Sequence, residues 1–340
     1  MSFEKHLKEQ LSLHPSMQPQ DMLKLSFQAA YGAEHLLQDH ARAYKLLLEE
    51  FENVTSADGA LYEEISDDFI RINLSAWKYK KIPVNWLFNI FLESIQIKKA
   101  DTGKFKYYLD ICRAYTDSEQ WDVFIADYIN KGISPVHHSD FYRENEKPAY
   151  RLANKRFVRV LPILEAVALC SNKPCVIAIE GRAASGKSTL ARYLSMVTGA
   201  DIIHMDDFFL PPSLRTKERM KELGGNIHYE RFAEEILPRL HDRETFSYNI
   251  FSCSKMNFYG KREVESENYR IVEGVYSLHP SFGDYADICV FSDVDPQTQM
   301  ERILERDGKR YAEIFSSTWI PKEEAYFDAY KIKEKCTVHI

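Results

Sequence analysis

The spacing of apolar residues divides the chain into two parts of different character. Up to about residue 160, apolar side chains recur every three or four positions, which is the period of amphipathic helices. One predicted helix begins at Asp21, whose side chain can cap it, and continues to Leu36. Further helical segments are predicted at 41–51, 67–79, 84–97, 121–129 and 155–170. The first part is therefore predicted to be mainly helical.

After the polar segment 171–174, the pattern changes to brief apolar runs separated by loops and helical stretches. Such runs are typical of buried parallel strands, and they are predicted at 175–180, 201–205, 245–251, 269–272 and 287–291. Strands that alternate with helices form parallel sheets flanked by helices. We therefore predict an α/β domain over residues 166–340, preceded by a mainly α-helical domain over residues 1–165.

Composition then limits the classes of function. The chain has 340 residues, of which 45% are hydrophobic, and a formal net charge of -7. A broad nucleic-acid-binding surface would be basic, and a spanning helix would need about 18 or more consecutive apolar residues. The N-terminus is polar, without the apolar region of a signal peptide, and the six cysteines are scattered without a C-x-x-C pair. We expect a cytoplasmic protein with free thiols, and neither nucleic acid nor membrane as a partner.

The strongest motif follows the first predicted strand of the second domain. Residues 181–188 read GRAASGKS, a complete match to G-x-x-x-x-G-K-[ST], and helical sequence follows. In such a loop, backbone N–H groups surround phosphate oxygens, and the helix N-terminus adds a partial positive charge. Lys187 can reach the β- and γ-phosphates, and the Ser188 hydroxyl can ligate Mg²⁺. We assign ATP binding to Gly181, Arg182, Ala183, Ala184, Ser185, Gly186, Lys187, Ser188 and Thr189.

Acidic residues follow two other predicted strands. Asp206 and Asp207 come after the run at 201–205, and Glu273 ends the run at 269–272. At the carboxyl edge of a parallel sheet, a carboxylate can accept a proton from an attacking hydroxyl or bind Mg²⁺. The alternatives are a turn or helix cap for the aspartates and a solvated strand end for Glu273.

A row of arginines occupies the helix predicted after residue 295. Arg302, Arg306 and Arg310 recur every four residues. Such a row can fold over a triphosphate and stabilise charge during phosphoryl transfer. The alternative is a solvated basic face that pairs with neighbouring glutamates.

Two polar groups in the first domain admit two interpretations. The first group, spaced by three or four on one predicted helix face, is Gln28, Tyr31, His35 and Asp39. His35 and Asp39 could bind a metal, or Asp39 could orient His35 as a base. The alternative is a half-buried histidine at a helix contact. For the second group, His137 and His138, a solvated loop is expected.

The motifs of residues 174–335 resemble the uridine kinase-like branch of P-loop kinases. The resemblance rests on GRAASGKS, MDDFF, GNIHYERF, VEGVY and the arginine helix, in that order. It implies a P-loop kinase domain that uses ATP and Mg²⁺ to phosphorylate a small molecule. The preceding residues look like an extra domain found with such kinases in some bacteria.

The resemblance also implies roles for single positions. Asp206 aligns with the catalytic base, and the Mg²⁺ shell aligns with Ser188, Asp206 and Glu273. Arg302 and Arg306 align with lid arginines that act in catalysis with Lys187. His228, Tyr229 and Arg310 are assigned to substrate binding. One position departs from the family, because His228 stands where uridine kinases have an aspartate that holds the ribose hydroxyls, and a histidine cannot supply the same fixed charge.

The predicted function is therefore ATP-dependent phosphorylation of a hydroxyl on a small molecule, with a nucleoside as the first expectation. Two alternatives stay open: a kinase for a non-nucleoside acceptor such as pantothenate or a sugar, and an ATP-dependent switch whose N-terminal domain binds a partner. A bifunctional protein, with His35 and Asp39 active on the same metabolite, is a further hypothesis. The expected partners are the small-molecule phosphoacceptor and a second copy of the chain in a homodimer.

Overall fold

A computed structural model of the chain describes residues 3–33, 39–96 and 101–340. The chain divides into two compact units between Leu161 and Pro162. The helices of the first unit are α1 (Phe3–Leu13), α2 (Pro19–Tyr31), α3 (His40–Asn53), α4 (Leu74–Tyr79), α5 (Val84–Ile95), α6 (Thr102–Arg113), α7 (Ser118–Asn130) and α8 (Asp140–Glu146). Its strands are β1 (Tyr62–Glu64), β2 (Phe69–Asn73) and β3 (Tyr150–Asn154).

These three strands form a small antiparallel sheet that the sequence analysis missed. β2 lies in the centre, and its Ile70 pairs with Glu64 of β1 and with Ala153 of β3. The helix prediction for 67–79 is wrong in its first half. The run FIRIN forms a strand there, in which Ile70 and Ile72 are buried. Asn73 then ends the strand and caps α4, since its side chain accepts hydrogen bonds from the backbone N–H groups of the first turn.

The helix predicted from Asp21 to Leu36 is also shorter than expected. α2 ends at Tyr31, and Gly32 follows with φ +66, against the ring of Phe69. Asp39 instead caps α3, where its side chain accepts from the Arg42 N–H. The predicted shared helix face is therefore wrong for Gln28, Tyr31 and Asp39. His35 and Leu36 lie outside the described residues.

The core of the first unit forms where α2 packs against α1, α6 and the sheet. Leu7, Leu25 and Phe105 are fully buried there. The predicted solvated loop at His137–His138 holds only for His137, because His138 is 6% exposed. Its Nδ1 is hydrogen-bonded to the buried Asp21 carboxylate.

The second unit is built on a five-stranded sheet. Its strands are β4 (Cys175–Gly181), β5 (Asp201–His204), β8 (Tyr269–Glu273), β9 (Ile288–Ser292) and β10 (Val338–His339), and β6 (Phe246–Ser252) and β7 (Asn257–Val264) form a separate antiparallel hairpin. Its helices are α9 (Leu161–Leu169), which begins at the boundary, α10 (Lys187–Thr198), α11 (Tyr229–Glu235), α12 (Pro296–Ile314), α13 (Ile320–Tyr330) and α14 (Ile332–Lys335). The predicted α/β fold with a parallel sheet flanked by helices is confirmed.

The strand order places the motifs side by side. All neighbours in the order β10–β9–β4–β8–β5 are parallel. At the carboxyl edge, Glu273 pairs with Ile179 of β4 on one side and with His204 of β5 on the other. The loop after β4, the end of β8 and the segment after β5 therefore open into one cleft, which is where ligands bind in open α/β sheets.

Two features of the second unit depart from the sequence prediction. α12 is interrupted at Gly308, whose φ of +79 and ψ of 172 are not helical. Arg310 therefore lies beyond a kink and does not continue the row of Arg302 and Arg306. β7 and β10 were not predicted, because β7 is polar and largely exposed and β10 has only two residues.

Candidate active site

The loop after β4 has the backbone geometry of a phosphate cradle. Gly181 adopts φ +140, and a Cβ there would collide with the Ser292 carbonyl group of β9. Gly186 adopts φ +91 at the N-cap of α10. Both positions suit glycine, because other residues rarely adopt positive φ. The Lys187 ammonium group lies across the loop and donates to the carbonyl oxygens of Gly181 and Arg182, each at 2.8 Å.

Residues far along the chain hold this loop in place. The Arg182 guanidinium group donates to Glu324 at 2.6 Å and to Asp293 at 2.6 Å. The neighbouring Glu323 carboxylate, which is 6% exposed, accepts from the Ala183 N–H at 3.0 Å. α13 and the segment after β9 therefore fix the outer side of the loop, and the inner side is left to face the cleft.

A chain of three side chains runs from the loop into the cleft. The Ser188 hydroxyl donates to Glu273 Oε2 at 3.1 Å, and Glu273 Oε1 lies 2.5 Å from Nδ1 of His204. Glu273 is 4% exposed, so its two oxygens are oriented by these partners. Sequence reasoning missed His204, although its position just before MDD at the end of a strand is a usable signal.

The two adjacent aspartates have different surroundings. Asp207 is buried, and its carboxylate accepts from the Tyr248 hydroxyl at 2.9 Å and from Arg262 Nε at 3.1 Å. Asp206 is exposed toward the cleft, and no hydrogen bond holds its carboxyl within the described part of the chain. Asp207 therefore ties the β6–β7 hairpin to the sheet, and Asp206 is the carboxyl available for chemistry.

Charges around the cleft are coupled. Desolvation by the surrounding protein raises the pKa of Asp206, and the Glu273 carboxylate raises it further, while the Lys187 ammonium group opposes the shift. Burial likewise raises the pKa of Glu323, again opposed by Lys187. Lys187 and Asp206 thus lie within electrostatic reach of each other, as a shared cleft requires.

Of the three arginines in the predicted row, Arg302 contacts the loop 181–188. Arg302 donates to the Ala184 carbonyl oxygen at 3.1 Å. Arg306 pairs with the adjacent Asp307 at 2.7 Å, and Arg310 lies on the surface beyond the kink. Arg302 therefore contacts the loop 181–188 directly. Catalytic roles for Arg302 and Arg306 stay predictions.

The predicted substrate-binding residues have structural partners. His228 caps α11, where Nδ1 accepts from the Arg231 N–H at 3.2 Å, and burial lowers its pKa. Tyr229 stacks on His279 with ring centroids 4.9 Å apart, and the Arg219 guanidinium group lies 3.5 Å from the centroid of its ring. Acceptor binding by His228, Tyr229 and Arg310 remains a prediction.

The donor set fits the groups that the motif implies. Ser188, Glu273 and Asp206 offer hydroxyl and carboxylate oxygens at one edge of the sheet, and Mg²⁺ prefers such hard ligands. Desolvation and the nearby Glu273 carboxylate both raise the pKa of Asp206, and a cation held by these two carboxylates would offset both effects. Backbone N–H groups at the start of α10 suit the phosphates of a nucleotide.

Fold and site together define a kinase-like P-loop α/β fold. A curated protein, the uridine kinase of Ligilactobacillus salivarius (strain UCC118), is 28% identical to this chain over 146 residues, which cover 40% of this chain and 68% of that protein. This match confirms the resemblance to uridine kinase-like proteins. A solved structure of a possible uridine kinase from Bacillus stearothermophilus aligns with a TM-score of 0.40 and 17% identity, covering 53% of this chain and 100% of that chain.

No family model matches the chain. Across residues 3–33, 39–96 and 101–340, no helix combines the length and the apolar character that crossing a membrane requires.

Proposed function

We propose that the second unit is an ATP-dependent phosphotransferase that phosphorylates a hydroxyl group of a small molecule, and that this molecule is a nucleoside. The observation that carries the proposal is the cleft between the Lys187 loop and Asp206. The Lys187 ammonium group is close enough to oppose the rise in the pKa of Asp206 that desolvation causes, and Asp206 has no hydrogen-bond partner in the described part of the chain. A carboxylate in that position is available to an incoming alcohol.

The proposed reaction uses the chain's own groups in distinct roles. The loop N–H groups and Lys187 hold the triphosphate, and Arg302 supports the loop at the Ala184 carbonyl oxygen. The Asp206 carboxylate accepts the proton of the acceptor hydroxyl as its oxygen bonds to the γ-phosphorus. The bond between that phosphorus and the β–γ bridging oxygen breaks, and ADP leaves. Positioning and charge stabilisation supply most of the acceleration in such transfers.

Mg²⁺ would be held by the Ser188 hydroxyl and the carboxylates of Glu273 and Asp206. When bound, it would neutralise charge on the phosphate oxygens. His204 keeps one Glu273 oxygen occupied, so the other oxygen, which faces Ser188, is the one directed to the site. This arrangement supports a Mg²⁺-dependent reaction and gives His204 a positioning role.

The choice of a nucleoside is supported by the relative from L. salivarius, which is named a uridine kinase. His228 offers an imidazole where a carboxylate would hold ribose hydroxyls, and its Nδ1 is already engaged at the start of α11. We therefore expect the acceptor to be held differently from uridine in a uridine kinase. A direct comparison of acceptors decides this point.

The test is a product assay with the full chain, ATP, Mg²⁺ and a panel of nucleosides, pantothenate and sugars. We expect a phosphorylated nucleoside, and we expect Asp206→Asn to lower kcat about 100-fold or more while ATP affinity changes little. Asp207→Asn is the matched control. It should lower thermal stability through Tyr248 and Arg262, yet retain most of the turnover of the folded protein.

Several outcomes would contradict the proposal. If Asp206→Asn turns over at the parental rate, the assignment of the base is wrong. If ATP is hydrolysed at a rate that no acceptor increases, the switch hypothesis is favoured. If pantothenate or a sugar is the phosphorylated product, the phosphotransferase stands and the nucleoside does not.

A further inference from the structure

The first unit contains a cavity of its own. It has a volume of about 850 Å³ and lies between α1, α3, α8 and the β1–β3 sheet. Cavities that bind small molecules are usually about 300–1,000 Å³. Its wall belongs entirely to the first unit, so the cavity is separate from the cleft of the P-loop unit.

A buried arginine forms the floor of this cavity. Arg71 on β2 is 3% exposed and is held on three sides. Its guanidinium group donates to Gln28 Oε1 at 2.7 Å and to Glu63 Oε1 at 3.2 Å, and it stacks over the ring of Tyr150 at 4.4 Å. A charged group buried with this many partners has a fixed position, as a binding site requires.

Behind the wall, a second buried chain fixes Tyr150. Its hydroxyl lies 2.8 Å from His138 Nε2, and His138 Nδ1 lies 2.8 Å from Asp21 Oδ1. Asp21 is 0% exposed, and burial lowers the pKa of His138 to about 4. The neutral imidazole therefore donates to Asp21 and accepts from the Tyr150 hydroxyl.

Such a network is costly for a structural role alone. Each ion removed from water costs several kcal/mol before pairing, and apolar residues of similar volume often stabilise a core equally well. Here four connected side chains lie behind one wall of the cavity: Asp21, His138, Tyr150 and Arg71. Departures from the usual rules of core composition concentrate at functional sites.

The charges of the wall indicate the class of ligand. Three acids and three cations line the cavity, namely Glu50, Glu63, Glu146, Arg71, Arg143 and Lys147. Each acid also has a protein partner: Arg151 pairs with Glu50 at 2.7 Å, Arg71 with Glu63, and His14 with Glu146 at 2.8 Å. A wall that is already balanced favours a ligand without net charge.

The remaining wall groups favour hydroxyls. Carboxylates accept hydrogen bonds, and guanidinium and ammonium groups donate them, so the wall offers both kinds of partner. Hydroxyl groups satisfy donors and acceptors alike. We propose that this cavity binds an uncharged, hydroxyl-rich small molecule of the nucleoside or sugar class. The proposal does not depend on the activity of the P-loop unit.

The test measures binding to the full chain by isothermal titration calorimetry, with uridine, adenosine, ribose and glucose as probes. Thr55→Trp is the informative variant, because Thr55 is exposed on the cavity wall and, among the described residues, is hydrogen-bonded only through its carbonyl oxygen. Val123→Trp is the matched control, since Val123 is 72% exposed on α7 and is not part of the wall. Glu63→Gln, which removes one wall charge without changing shape, is a second probe.

We expect at least one probe to bind, with affinity reduced about tenfold or more by Thr55→Trp, reduced by Glu63→Gln and unchanged by Val123→Trp. Phosphorylation by the P-loop unit should be unchanged in Thr55→Trp. Absence of binding by all four probes would overturn the proposal. Binding whose affinity and stoichiometry are both unchanged in Thr55→Trp would also overturn it, because all of the bound ligand would then occupy another site, such as the acceptor site proposed in the P-loop unit.

Discussion

The Ser188 hydroxyl, at the end of the phosphate loop, donates to the Glu273 carboxylate at the end of a neighbouring strand, with 3.1 Å between the two oxygens. These residues are 85 positions apart in the chain. The parallel pairing of β4 with β8 brings them together, and His204 orients the far side of Glu273. This contact places a hydroxyl oxygen and a carboxylate oxygen side by side next to the loop.

This relationship makes Glu273 sensitive to conservative change. Glu273→Gln keeps the shape but loses the charge, so we expect the Mg²⁺ concentration for half-maximal activity to rise about tenfold or more. Titration of activity with Mg²⁺ at saturating ATP measures this. Glu265→Gln, at an exposed position between β7 and β8, is the control. An unchanged Mg²⁺ requirement in Glu273→Gln would remove Glu273 from the proposed metal site.

Gly181 is expected to tolerate no side chain. In Gly181→Ala, the new Cβ would strike the Ser292 carbonyl group, and the φ of +140 would be strained. We expect a loss of about 3 kcal/mol or more in unfolding free energy, with loss of ATP binding, measured by urea denaturation and calorimetry. Gly199→Ala is the matched control: its φ is +75 with no atom within 4 Å of the added Cβ, so about 1 kcal/mol is expected. Equal losses in the two variants would contradict the steric argument.

Glu180 predicts a pH dependence of stability. It is fully buried and accepts from the N–H groups of Gly181, Tyr276 and Leu278. Burial raises its pKa from 4.5 to about 7. The pKa of Glu180 is higher in the folded protein than in the unfolded chain. Its contribution to the free energy of unfolding is therefore complete below about pH 4.5 and is lost as the pH rises through about 7.

Glu180→Gln should therefore flatten this dependence. The parent is expected to lose about 3 kcal/mol of unfolding free energy from this group between pH 4.5 and 8, a loss that the variant should not show. Urea denaturation of both proteins at several pH values measures the difference. Parallel curves for the two proteins would show that Glu180 does not titrate in this range.

The kink in α12 predicts unequal effects along the arginine row. Arg302→Ala removes a contact with the Ala184 carbonyl oxygen, and Arg306→Ala removes the proposed lid charge, so each should lower kcat/KM for ATP about tenfold or more. Arg310→Ala should have a smaller effect, because Gly308 turns the helix before it. Steady-state kinetics with varied ATP distinguish them, and Lys309→Ala serves as the control for lost surface charge. A loss in Arg310→Ala as large as in Arg302→Ala would contradict this order.

Local sequence patterns were sufficient for several features. The apolar runs that became β4, β5, β6, β8 and β9 were predicted nearly to their ends, since each run is short and contains buried apolar residues. The loop 181–188 was predicted because its eight contiguous residues must supply one backbone shape. The β1–β3 sheet was missed because helix and strand patterns are ambiguous over five residues.

The sequence by itself determined the α/β character of the second unit, the phosphate loop and the presence of two acids after β5. Only the tertiary structure decided that Asp207 is hydrogen-bonded by Tyr248 and Arg262, while Asp206 is exposed and lies within electrostatic reach of Lys187. It alone placed Glu323 on the loop, 140 residues away, and assembled the cavity around Arg71. The reason is physical: a loop motif is encoded in consecutive backbone angles, whereas side-chain partners depend on which distant segments the fold brings together.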